Sequence, residues 1–462
     1  MKKLIILAVA VLLALPCVSY AGSATSRWDL TIGGYVKFDV VWADQYLNPD
    51  ITFAARDSGT STNSQDEYKA LTWGAGESRL NFLIKGPDTW GAKSSAFIEF
   101  DFRVGNVLST DSATRSQLNS YGVASLRHAF MKFDWPTVSL IMGQTWTGPG
   151  ILPCFCILGV NELGPFGKGI WRPEIKVSWM ATKNFTVDFA VVSPYNTDKY
   201  AGNGGSTLAN GLANDDFARS QIPDIMTEFT YKTDACGKIG PWMLQVGFGG
   251  VYGQEKPIDP AANGPTTYTT SYAATSGFWS ANGYDDDTVD RWMVTGKTYI
   301  PIIPEKAPGK LAGSLGLAMA GFTGQNLRSY VPPPPIANAM ISYDRVSATG
   351  DINAVAPVVS GGWGQLAFYL TDTVWFGGYY GQTVVSLSNR RKNSIPQTSA
   401  AALGSVERIQ QYIFNVVYDP NPAVRLGLEY SYFQTHYARS IRPYLDSDGN
   451  TNVVRFAAQY FF

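Results

Sequence analysis

From Asp29 to Trp42 the even positions Leu30, Ile32, Val36, Phe38, Val40 and Trp42 are apolar, while Asp29, Thr31, Lys37 and Asp39 lie between them. A period of two belongs to an extended strand, whose successive side chains point to opposite faces. The run is longer than the usual strand of about 5–6 residues. It suits the ~9–11 residues a tilted strand needs to cross a bilayer, with an extension beyond. The pattern recurs where Leu80, Phe82 and Ile84 oppose Arg79, Asn81 and Lys85, and where Ala96, Ile98, Phe100 and Phe102 oppose Glu99, Asp101 and Arg103. Ile175, Val177 and Trp179 likewise oppose Arg172, Glu174, Lys176 and Ser178, and Val424 to Tyr432 oppose Arg425, Glu429 and Ser431. Each such strand has one face for lipid and one for water.

The whole chain predicts sixteen strands, near 29–42, 78–86, 92–103, 124–134, 137–146, 171–182, 184–193, 222–232, 241–253, 287–299, 310–322, 361–371, 372–386, 408–419, 422–434 and 452–462. The alternation is weakest over 124–134, 310–322 and 361–386, where both faces are apolar or small. An even number is the rule for single-chain bacterial outer-membrane barrels. The gaps between strands alternate in length: 43–77 is followed by 87–91, 147–170 by Lys183 alone, and 387–407 by Asp419-Pro420-Asn421-Pro422. A barrel with both termini in the periplasm has long extracellular loops and short periplasmic turns in this order. The expected fold is therefore all-β, a transmembrane antiparallel barrel of about sixteen strands.

Composition agrees. Charged residues make up 16% of the chain, against about 25% in an average soluble domain. Aromatic residues reach 13%, glycine contributes 46 residues, and mean hydropathy is -0.07, too polar for a bundle of membrane helices. At the N-terminus Lys2 and Lys3 precede an apolar stretch from Leu4 to Leu15 and a small-residue site at Ser19-Tyr20-Ala21. That is the layout of a secretory signal. Cleavage is expected after Ala21, giving a signal peptide over 1–21 and a single barrel over 22–462. Pro16 before Cys17 excludes a lipoprotein signal. Losing the two lysines takes the formal net charge from -1 to -3, which suggests no nucleic-acid partner. The remaining Cys154, Cys156 and Cys236 are too few for a disulfide scaffold.

The last strand ends Arg455-Phe456-Ala457-Ala458-Gln459-Tyr460-Phe461-Phe462, with Phe456, Tyr460 and Phe462 on one face. A terminal aromatic on an alternating strand resembles the assembly signal of outer-membrane barrels, read by the barrel-assembly machinery. The stretches Leu126 to Phe133, Val138 to Thr147 with Gly143-Gln144-Thr145-Trp146, and Arg172-Pro173-Glu174-Ile175 resemble the mid-barrel region of trimeric sixteen-stranded porins, especially the DcaP-like group. That resemblance implies a homotrimer in outer-membrane lipid and uptake of small anionic organic solutes such as dicarboxylates. The general pattern covers 29–462, and the family-specific pieces only about 79–180.

General porins fold the loop after the fifth strand into the lumen, which here makes 147–170 the constriction loop. Its charges are Glu162 and Lys168, and its centre, Ile151 to Leu158 with Cys154, Phe155 and Cys156, is apolar. The run packs either inside the lumen, against the wall, or against a neighbouring subunit. Alternation places Glu99, Asp101, Arg79, Arg103, Arg127, Arg172 and Lys176 on the lumen face. The four arginines could hold carboxylates in bidentate fashion. Equally, they could neutralise Glu99, Asp101 and Glu174 across neighbouring strands.

Other chemistries lack their residues. Cys154 and Cys156 have no histidine nearby and no four-ligand zinc set, so neither metal nor cofactor is expected. Asp285-Asp286-Asp287 with Asp290, and Asp446-Ser447-Asp448-Gly449-Asn450, read as solvated loop acids and a turn, the second run lacking the closing glutamate of a calcium loop. Only His128 and His436 exist and no G-x-S-x-G elbow is present, so no enzyme is expected. The reading is a passive diffusion channel of a Gram-negative-type outer membrane. The alternative is a barrel sheathing cytochromes in an electron conduit.

Overall fold

The computed structural model describes residues 28–45, 54, 69–102, 124–150, 152, 170–193, 222–255, 288–327, 330, 342–345, 352–355, 358–386, 406–437 and 448–462. The expected signal peptide lies outside them. In chain order the strands are β1 (Asp29–Ala43), β2 (Ala70–Gly74), β3 (Arg79–Lys85), β4 (Lys93–Asp101), β5 (Ser125–Asp134), β6 (Val138–Thr147) and β7 (Ile170–Thr182). They continue with β8 (Phe185–Val192), β9 (Asp224–Ile239), β10 (Trp242–Glu255), β11 (Val289–Ile303), β12 (Leu315–Gln325), β13 (Ser342–Arg345) and β14 (Ile352–Val355). The series ends with β15 (Val358–Tyr369), β16 (Val374–Ser386), β17 (Val406–Asn421), β18 (Val424–Tyr437) and β19 (Asp448–Phe461). Seventeen of these form one antiparallel sheet, and β13 with β14 makes a separate hairpin between β12 and β15.

The sheet closes on itself. On one side β1 pairs with β19, from Tyr35↔Phe461 to Ala43↔Val453. On the other, β1 pairs with both β2 and β3, which follow each other along a single barrel position. The barrel therefore has sixteen positions, and its closure removes the open edge that lipid cannot tolerate.

The faces are inverted relative to a soluble protein. Leu30, Ile32, Val36, Phe38 and Trp42 are exposed, while Lys37 and Asp39 between them are buried. Phe248, Val294, Phe414 and Leu428 continue the outer apolar band. Exposed Trp90, Trp179, Tyr418, Tyr460 and Phe462 ring the edge with the short turns, and Trp42, Trp73 and Tyr252 lie near the other edge. Such aromatic girdles sit where lipid headgroups begin.

The alternation of connections holds in the structure, with segments such as 86–92, 135–137, 240–241 and 422–423 on one edge and the long ones on the other. The boundaries differ in places. β9 runs to Ile239 rather than stopping near 232, and its register to β10 jumps from Thr233↔Leu244 to Lys238↔Met243, so Asp234 to Gly237 bulge out of the ladder. β11 extends to Ile303, beyond the expected 299, with a second irregularity at Pro301, a residue that has no N–H to give a ladder.

Candidate functional site

Two bulges bring charge into the lumen. Between Asp39↔Gly74 and Tyr35↔Arg79 the β2–β3 side carries one residue more than β1. The Ser78 hydroxyl bridges the gap, accepting from the Lys37 backbone N–H at 3.0 Å. Glu77 then points inward onto the Lys37 ammonium, whose other partner is Asp39 at 3.1 Å. Across β4 and β5, Glu99 pairs with His128 but Phe100 pairs with Leu126, so Arg127 is the extra residue. A bulge turns both of its residues toward one face, which places Arg127 and His128 inside together and explains why alternation is weak over 124–134.

Arg127 is almost completely buried. Its Nε donates to Glu99 at 2.8 Å and a terminal nitrogen to Asp101 at 2.7 Å. The rings of Trp171 and Trp146 lie 4.4 and 5.6 Å from its guanidinium. Arg79 stands opposite Asp101 in register, with its guanidinium 5.3 Å from the Tyr35 ring. Nearer the long-loop edge, Asp224 is wholly buried and binds both Arg172 and Arg291 at 3.0 Å. The Tyr330 hydroxyl donates to the same carboxylate at 2.6 Å, holding the start of the β12–β15 connection inside. Lys176 meets Glu174 at 3.0 Å, and Lys297 bonds Glu228. The two readings of the arginines thus part company at these positions: Arg127 and Arg172 are neutralised by carboxylates, and the partner of Arg172 is Asp224, fifty-two residues away, rather than Glu174.

The opposite wall has a different character. β12, β15 and β16 contain no charged residue. Their inward positions include Ala318, Trp363, Gln365, Tyr379 and Thr383, with Tyr299 of β11 and Ile413 of β17 beside them. Leu152, five residues past the end of β6, packs into this group with 4% of its surface exposed. On the way, the Gly150 N–H donates to Glu228 of β9. Gly150 has φ +77°, and a Cβ there would collide with the Thr295 side chain of β11. Glycine is needed both for the left-handed backbone and for the close approach. The chain leaving β6 therefore turns into the barrel and seats Leu152 against the uncharged wall. The start of the loop 147–170 lies inside, whereas Cys154, Phe155, Cys156, Glu162, Lys168 and Arg103 lie outside the described residues.

The remaining acids and histidines have ordinary roles. Asp290 accepts from Tyr252 and Gln254 at 3.1 Å, and Asp448 bonds His436 at 2.7 Å. His128 sits 3.0 Å from the Thr145 hydroxyl. Asp285, Asp286, Asp287 and Asp446 lie outside the described residues. Sequence reasoning missed Glu77, Asp224, Arg291 and Tyr330. Arg291 and Lys297 share the parity of Val289 and Met293, a signal that was present. Asp224 opens its strand directly after Pro223, where alternation has no run to lean on.

No family model matches the sequence, and no curated protein matches it. Among solved structures, the outer membrane channel DcaP of Acinetobacter baumannii superimposes with a TM-score of 0.61 at 15% identity, covering 96% of this chain and 99% of that one. OprB of Pseudomonas putida gives a TM-score of 0.51 at 11% identity, covering 94% of each chain. At these identities the likeness is one of fold: the chain has the closed antiparallel barrel of an outer-membrane channel.

Proposed function

We propose that the protein is an outer-membrane porin through which small hydrophilic solutes diffuse passively, selected by bore and lumen charge. The observation that carries this reading is the path of Pro149, Gly150 and Leu152. They reach from β6 toward β9, β11 and the uncharged wall, and on this reading they narrow the passage and leave the charged wall as its polar side. The reading includes a signal peptide over 1–21, assembly dependent on Phe462 at the last strand, and a homotrimer that takes up anionic organic solutes. Planar-bilayer recording of the purified protein tests it. Stepwise openings in groups of three support a trimeric channel, and copurified haem without ion conductance overturns it. Deleting Phe462 should lower outer-membrane levels of the folded barrel while export through the inner membrane continues.

A further inference from the structure

Segments that enter the lumen from the long-loop edge cover apolar patches of its wall. Leu152 shares a buried cluster with Tyr299, Trp363 and Tyr379, Ala54 with Val41 and Phe433, and Leu327 and Tyr330 with Met226, Val251 and Met293. An inward apolar strip on β3, β4 and β5 is different. Register aligns Leu83 with Phe97 and Phe97 with Phe130. These positions share the parity of Arg79, Glu99 and His128, so all three side chains face the lumen. They belong to none of the buried clusters and stay partly exposed.

The strip lies on the short-turn side of Glu99 and Arg127, away from the edge at which the inward segments arrive. Phe97 and Phe130 stand 5.7 Å apart with their planes at 39°, and the His128 ring lies 5.9 and 6.3 Å from them. Gly143, opposite Phe130 on β6, adds no side chain to that flank. Apolar surface left in water is unfavourable, and aromatic rings gain further from an offset or edge-on partner ring. Polar groups border the strip on both sides: Asn81 and Glu99 toward the long loops, Lys85, Ser95 and Lys132 toward the short turns. Glu99 is held by Arg127, and Lys132 by Asp134 at 2.9 Å. An apolar floor edged by hydrogen-bonding groups suits a ring that carries hydroxyls or a sugar.

We propose that Leu83, Phe97 and Phe130 form a binding strip for the flat ring of an uncharged aromatic solute, of the aryl glycoside kind, in transit through the lumen. This rests on the channel reading above and adds to it a class of solute held by its ring, with no carboxylate involved.

The test uses full-length wild-type protein, Phe97→Ser, Phe130→Ser and Phe97→Leu, each checked for folding by heat-modifiable migration. Arbutin, an uncharged aryl glucoside, is the probe, and methyl β-glucoside is its ring-free control. One readout is the potassium chloride current through planar bilayers with probe added to one side. The other is saturation transfer, by NMR, from the detergent-folded barrel to the ring protons of arbutin. In wild type, arbutin should lower the current and receive saturation, and methyl β-glucoside should do neither at the same concentration. Each serine variant should weaken both arbutin effects about three- to tenfold. Phe97→Leu, which keeps apolar surface and loses the ring, should fall between. Equal arbutin effects in wild type and both serine variants overturn the proposal, as do equal effects of the two glucosides. So does failure of both serine variants to fold, which would mean that the rings hold the wall together. Should only one of them fold, that variant and Phe97→Leu carry the comparison. Absence of current from every variant overturns the channel reading instead. Saturation transfer then still decides the role of the strip: transfer seen in wild type and weakened in the serine variants supports it, and transfer absent from wild type overturns it.

Discussion

From β3 to β11 most strands place charged side chains on the inward face, whereas β12, β15 and β16 place amides, hydroxyls and aromatic rings there. The two walls are held by different means. On the charged side, cross-strand pairs such as Arg127 with Glu99 and Asp101 fix side chains by directed bonds. On the uncharged side, Trp363 stacks on Tyr379 at 5.7 Å, in one buried cluster with Leu152. On the proposed reading, the first wall supplies the field of the passage and the second a seat for the segment that follows β6. A change on the first should act through charge, and a change on the second through packing.

Removing Asp224 gives the largest expected effect, since it leaves Arg172 and Arg291 buried with their shared counter-charge gone. Breaking a buried pair in this way costs about 3–5 kcal/mol. Asp224→Ala should therefore unfold at clearly lower urea concentration in detergent, and an unchanged midpoint would show that the network does not hold the charged wall together. The uncharged wall is probed next by Leu152→Ala, which empties a buried leucine site at a cost of about 2–5 kcal/mol. Because that cost falls on the inward segment more than on the barrel, single-channel conductance should rise. Equal conductance would mean that the segment does not set the bore. Arg127→Gln is read in selectivity: it leaves Glu99 and Asp101 with one cation fewer and should move the reversal potential toward cations. A shift toward anions would contradict the pairing.

Strands such as β1, β7 and β18 were legible because large apolar side chains face lipid on one parity and charges face water on the other. β12, β15 and β16 were harder to place, since glycine and alanine occupy both faces and the inward face lacks charge. The division at 75–78 that separates β2 from β3 was not legible, because Ser78 replaces a missing ladder bond with its side chain. The candidate site was legible only as a parity. Alternation places Arg127 and Arg172 inside, but the identity of a partner depends on closing loops of tens of residues, as between Arg172 and Asp224. The inward turn after β6 has a local sign in the apolar run that begins at Ile151. Its landing place depends on Tyr299, Trp363 and Tyr379, which come together only when the barrel closes.

The bulge at Arg127 also separates two kinds of inheritance in the molecule. An inserted residue that bends inward leaves the outward dyad on either side of it unchanged, so Leu126 and Ala129 keep their places toward lipid while the passage acquires a new functional group. Lumen chemistry can then diversify by gaining or losing single codons, with the surface presented to the bilayer hidden from the change. In such a barrel, gaps in a comparison of relatives would carry as much information about selectivity as substitutions do.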